Sequence, residues 1–192
     1  MSALSSIKAE NSTLDARSPS SLLEQGIEAL SKEDSVTAGR VFTIAIDLLL
    51  DNKDPATLIH PAGILSAIDV KSGGILHKLF SQRSIAMLKQ TDYLAAKSDA
   101  ELCTLTKPDY DRGHLNLLKA LDSDGSSVEE RRSVCSKALL SCPNCDELKS
   151  LELRYALSKD ENKAPTGSAE VDQLAIMGAT LKIANEKDHP QR

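Results

Sequence analysis

Cys142-Pro143-Asn144-Cys145 is the stretch whose residue types and spacing come nearest to chemistry. Two thiols at this spacing can form a redox pair, because a thiolate at a helix start is stabilised by the helix dipole. Asn144 with Glu147 three residues on reads as a helix cap, which puts Cys145 at such a start. Pro143 has a competing role in closing the helical run before it, and no strand-rich pattern surrounds the pair. A zinc site needs a second pair of ligands, and Cys103 and Cys135 fall at interior positions of apolar runs. The histidines, His60, His77, His114 and His189, are scattered without metal-gathering spacing and read as surface or half-buried side chains. No phosphate loop follows Gly73-Gly74, no nucleophile elbow appears, and no catalytic pair stands out among the many acids. These residues point away from an enzyme, a cofactor or a metal, and towards a binding surface.

Helices would have to position such a surface. Leu79, Arg83, Ala86 and Met87 recur at helical spacing until Gln90-Thr91-Asp92, and Tyr93, Ala96, Ala100 and Cys103 recur until Pro108. The small Ala96 lets the second helix approach the first, and Tyr93 plugs the elbow between them. A helical hairpin cannot bury its apolar face alone and asks for neighbours of its own kind. The next closing proline, Pro143, stands thirty-five residues after Pro108 (143 − 108). Between them Leu115, Leu117, Leu118 and Leu121 make one apolar helix, and Val128, Cys135, Ala138 and Leu139 a second, opened by a capping box of Ser127 and Glu130. Upstream, Ser18-Pro19 caps a helix over about 19–31, and a partner follows over about 35–50.

The proline spacing is close to the period of about thirty-four residues of tetratricopeptide repeats. Gly26, Ala38, Phe42 and Ala45 stand at the offsets where that repeat has glycine, alanine, an aromatic and alanine. Leu79-Phe80-Ser81-Gln82-Arg83 and Lys107-Pro108-Asp109 are similar to phrases of its co-chaperone members. The chain thus resembles a three-repeat tetratricopeptide domain over 18–158. The resemblance implies an all-α solenoid of three helical hairpins near 18–50, 75–108 and 109–143, with a capping helix over 144–158. Phe42 and Ala100, at equivalent positions, lie fifty-eight apart (100 − 42), so about twenty-four extra residues form an insert over 51–74. Leu58, Ile59, Ile64, Leu65, Ile68 and Val70 make the insert apolar, and Pro61 could begin a short helix there. It either packs on its own domain and only extends the core, or borders or plugs the binding groove, or meets a partner. Arg131 stands where the family has alanine, which implies looser packing in the third hairpin or a bent second helix.

In such a stack the first helices line the concave side. In the co-chaperone relatives that side holds a clamp of basic and amide side chains for the carboxylates of a chaperone tail. The resemblance carries its lysine and asparagine from the first helix onto Leu23 and Ile27, its next asparagine onto Gln82, and its last lysine and arginine onto Arg112 and Asn116. The clamp is therefore degraded. Leu23, Ile27, Leu30, Ile85 and Leu88 would make one end of the groove apolar, and Lys78, Arg112, Asn116 and Lys119 the other end basic and polar, with Gln82 between. A peptide or helix with an apolar stripe and an acidic end suits that layout. Alternatively, Leu23 and Ile27 fill the groove from within, and the protein is a structural subunit anchored through its insert and C-terminal helix.

The remaining features agree with a non-enzymatic adaptor. In 192 residues there is room for one domain with tails, and 3% aromatics without Trp suit helices built from Leu, Ile, Val and Ala. A net charge of −5 argues against nucleic acid as a partner. No run is long enough to span a membrane, and four cysteines without a disulfide framework suggest a reducing, cytoplasmic location. Residues 1–17 read as a tail and 159–167 as a linker. Residues 168–192, carrying Val171, Leu174, Ile176, Met177, Leu181 and Ile183, read as a helix that docks or as a tail.

Overall fold

The computed structural model describes residues 18–59 and 63–161. They form α1 (Pro19–Ser31), α2 (Ser35–Leu50), a 3-10 turn (Pro55–Leu58), α3 (Ile64–Lys71), α4 (Leu76–Lys89), α5 (Tyr93–Thr106), α6 (Asp111–Ser123), α7 (Val128–Ser141) and α8 (Asp146–Glu161), with no strand among the described residues. None of these helices is long and apolar enough to cross a membrane. The expected tail over 1–17, the helix over 168–192, most of the linker, Pro61, His60 and His189 lie outside the described residues.

Local chemistry sets the boundaries. The Ser18 hydroxyl accepts the N–H of Ser21, and Pro19, which has no N–H to satisfy, opens α1. The turns into α2 and α5 share one geometry, fifty-eight residues apart (91 − 33): Glu33 and Thr91 are left-handed, at φ 63° and 61°. In each, the next residue returns its N–H to the carbonyl five positions back, Asp34 to Ala29 and Asp92 to Met87. The same two aspartates then cap the following helix, accepting the N–H of Thr37 at 3.0 Å and of Ala95 at 3.1 Å. Gly125 and the Ser126-to-Leu121 bond repeat this turn a third time, but the cap of α7 is Ser127, one residue later. The extra residue of the Pro108–Pro143 spacing sits there. The expected box is half formed, because Glu130 gives its N–H to Ser127 while its carboxylate goes to Lys97. Two expected boundaries move: α8 begins at Asp146 instead of Asn144, since Cys145 N–H still returns to the Cys142 carbonyl, and it runs on to Glu161.

The main packing pairs are α1 on α2, α2 on α4, α4 on α5, α5 on α6, and α7 on α8, with a lesser contact between α6 and α7. In addition α4 touches α1 on one side and α6 on the other. The main core holds Leu22, Phe42, Ile46, Leu79 and Phe80, all fully buried, each side chain contributing about 1.5–3 kcal/mol by leaving water. Gly26 is required there, because a Cβ would stand 2.2 Å from the Phe42 ring. Ala96 is fully buried as expected, and its carbonyl accepts the Ser84 hydroxyl at 3.0 Å. Tyr93 is only partly buried. A second core gathers Leu118, Cys135, Ala138, Leu148 and Tyr155.

The insert packs on its own domain. Leu65 is buried, while Leu58, Ile59 and Ile68 lie against the main core, and α3 rests on α4 and α5. The Ser66 hydroxyl donates to the Thr106 carbonyl at 2.8 Å, satisfying an acceptor that the end of α5 leaves open. Val70, 80% exposed, is the apolar exception.

Polar seams complete the interior. His77 is buried between α3 and α4, not at the surface: Nδ1 lies 2.8 Å from Asp69 Oδ2, its backbone N–H donates to Asp69 Oδ1 at 3.0 Å, and its ring meets Tyr110 edge-on at 4.7 Å. His114 is buried as well, with Nε2 2.8 Å from the Pro108 carbonyl. Both were expected nearer the surface, and each has found a polar partner that lets it go inside. Arg131 bonds Asp122 across the α6/α7 hairpin and lies 5.6 Å over the Tyr155 ring. The α6/α7 hairpin packs less closely than α4/α5.

Candidate functional site

The exposed sides of α1, α4, α6 and α8 share one register. On α4, Lys78, Gln82, Ile85 and Lys89 follow at steps of four, three and four, so they form one stripe, exposed or partly so. Thirty-four residues on (112 − 78), α6 carries exposed Arg112, Lys119 and Ser123 at the matching steps, while Asn116, which falls between them, is buried. Thirty-four further (146 − 112), α8 carries Asp146, Ser150, Leu153 and Leu157, all exposed. Fifty-eight before α4 (78 − 20), α1 carries Ser20, Glu24, Ile27 and Ser31, also exposed. The Tyr155 hydroxyl donates to Asp122 at 3.2 Å, tying α8 to α6 as α4 is tied to α1 and α6.

The residues expected from the sequence divide in two. Ile27 is 44% exposed, Lys78, Arg112 and Lys119 are exposed, and Gln82, Ile85 and Leu88 are partly buried. Lys78, Arg112 and Lys119 make no ion pair with a described residue. Leu23 and Leu30, by contrast, pack against the main core. Asn116 turns inward, its Nδ2 donating to the Ser81 carbonyl at 2.9 Å and to the Ser81 hydroxyl at 3.1 Å, so the seam between α4 and α6 holds its amide. Leu153 and Leu157, part of the expected covering helix, join the exposed stripes instead. Their step of thirty-four from Lys119 and Ser123 was the signal that could have found them.

No protein-family model matches the chain, and no curated protein matches its sequence.

Three of the four thiols, Cys103, Cys135 and Cys142, are buried. Burial pushes the Cys142 thiol upward, and its Sγ lies 3.8 Å from the Pro108 carbonyl, while Cys145 is partly exposed and not joined to it. A raised thiol is the opposite of what a redox pair needs. Burial also takes Cys103 and Cys135 up to about 12 each. No group of three or more metal-ligating side chains gathers among the described residues. A cleft of about 340 Å³ between α2 and α4 is lined by Gly39, Thr43, Met87 and Gln90. Another, of about 210 Å³, lies between the 3-10 turn and α5, over Arg83 and Asp99. That pair is closed on itself by two hydrogen bonds; burial raises the Asp99 carboxyl and the Arg83 donors oppose this.

Proposed function

We propose that this protein is a non-enzymatic adaptor of tetratricopeptide-like architecture, a solenoid of three helical hairpins with α8 following, that binds a segment of another protein along the faces of α1, α4 and α6. The observation that carries the proposal is the common register of the exposed stripes, each backed by a helix face buried in the core. Ile27 and Ile85 offer apolar contact, and Lys78, Arg112 and Lys119 offer cations without partners among the described residues. A peptide or helix carrying apolar side chains and acids matches both. The cytosol, where free thiols persist, suits such a protein.

A chaperone-tail clamp is weakened in this reading. Of the five positions, Leu23 packs into the core, Ile27 is apolar and Asn116 is bonded to Ser81, leaving Gln82 and Arg112. A carboxylate left partly unpaired there would lose about 1–3 kcal/mol or more. The alternative of an anchor through the insert has less support, because most of the insert's apolar side chains are spent on its own core.

The test is capture and crosslinking of partners with the full chain against the variant Ile27→Asp with Arg112→Glu, both at exposed positions. Loss of specific partners with unchanged helicity is expected. Retention of every partner by the variant would remove the groove from the account.

A further inference from the structure

The exposed face of α1, α4 and α6 carries two rows of side chains. Lys78 on α4 and Arg112 on α6, thirty-four residues apart (112 − 78), make a cationic row. Ile27, Ile85 and Lys119, at steps of fifty-eight and thirty-four (85 − 27, 119 − 85), make a second row, apolar over α1 and α4 and cationic over α6. On α4 and α6 the rows lie seven residues apart (85 − 78, 119 − 112), about 10.5 Å at a rise of 1.5 Å per residue. The Asn116 amide, bonded to Ser81 next to Gln82, sets the levels of α4 and α6 side by side.

Between the rows, over α4 and α6, the face is recessed. Gln82 is partly buried and Asn116 is buried, while Lys78, Arg112 and Lys119 stand out and pair with no acid among the described residues. A ligand that touches both rows must be about 10 Å across. An α-helix with its side chains is about 10–12 Å in diameter, whereas an extended strand takes up about half that width. The pitch of the face agrees. α4 touches both α1 and α6, and packed helices lie about 8–10 Å apart. A helix crossing them advances about seven residues, close to two full turns, at each step, so one side of it meets all three in succession.

We propose that the bound segment is an amphipathic helix lying across α1, α4 and α6, with apolar side chains seven residues apart on Ile27 and Ile85 and acids over Lys119, Lys78 and Arg112. Glu24, exposed on α1, repels acids at that end and so fixes which way the charge runs. This ligand rests on the adaptor reading above and narrows it to one secondary structure and one spacing.

Binding of two synthetic peptides to the full chain, read by fluorescence anisotropy, tests it. The first is an alanine-rich helix with two leucines seven apart and glutamates beside the second leucine and seven beyond it. The second has the same composition with that spacing cut to three, a span of about 9–10 Å in an extended chain. Each is made in both sequence orders. The first is expected to bind about tenfold or more tightly than the second. Lys78→Glu with Arg112→Glu, and separately Ile27→Asp, all at exposed positions, should each weaken it about tenfold or more while the protein keeps its helicity. Equal or tighter binding of the second peptide overturns the helix, as do binding that survives both variants and absence of binding by either peptide. The adaptor reading fails separately, through natural partners that survive Ile27→Asp with Arg112→Glu.

Discussion

Arg83 on α4 holds Asp99 on α5 through two parallel hydrogen bonds, Nη2 to Oδ1 at 2.6 Å and Nε to Oδ2 at 2.8 Å. Its third nitrogen, Nη1, donates to Thr43 on α2 at 3.2 Å, so one guanidinium joins three helices. Breaking a buried pair from one side costs about 3–5 kcal/mol, whereas replacing both partners with apolar groups is often neutral. Arg83 keeps 16% of its side chain exposed, which favours the lower end. We expect Arg83→Met to remove about 3 kcal/mol in urea unfolding, and Arg83→Met with Asp99→Leu to restore most of it. A double variant whose loss equals the sum of those of Arg83→Met and Asp99→Leu alone would show that the two side chains are not coupled.

Gly26→Ala is expected to destabilise by about 1–3 kcal/mol, because its methyl would enter the fully buried Phe42 ring. Phe42→Leu in the same chain should recover part of that loss by making room. Thermal melts of the three variants decide it: an additive double variant would mean that the two positions do not compete for space.

Burial takes the Cys103 thiol from 9.0 to about 12. Between those values the unfolded chain has released a proton that the folded chain still holds, so stability falls as pH rises through this window. Cys103→Ala should flatten the alkaline limb of melting temperature against pH and leave the neutral limb's slope unchanged. At about pH 8, a thiol reagent should label partly exposed Cys145 first, and Cys103 only on unfolding. An unchanged alkaline slope in the variant would rule out this thiol as its source.

Asp69→Ala strips both the ring and the backbone N–H of His77 of their acceptor. A loss of about 1–3 kcal/mol is expected. It should be local: faster amide exchange in α3 and the first turn of α4, with α7 and α8 unchanged. Uniform acceleration across the chain would mean that the contact supports the whole fold.

Reading the sequence located the helices where local chemistry dictates them. Pro19, Asp92, Ser127 and the apolar spacing around Ala96 each act within a few residues of where they sit. The set of binding residues expected from the sequence was less legible, because a side chain's direction depends on what its neighbour offers. Asn116 is polar and at an inner position, yet Ser81, thirty-five residues earlier (116 − 81), draws it inward. Leu23 was grouped with Ile27, but the turn of the helix takes one into the core and leaves the other 44% exposed. His77 was read as nearer the surface because its partner, Asp69, lies in the insert, whose path no repeat offset could supply.

The Ser66 hydroxyl seals the end of a helix forty positions downstream, at Thr106. The packed unit around α4 and α5 therefore starts upstream of the hairpin itself. Anyone transplanting the second hairpin into another scaffold, or splicing a foreign hairpin ahead of it, should carry the segment from Asp54 to Thr106 as one cassette. A cut after Gly74 would hand the recipient a hairpin with an open carbonyl at its tip and a histidine without its aspartate.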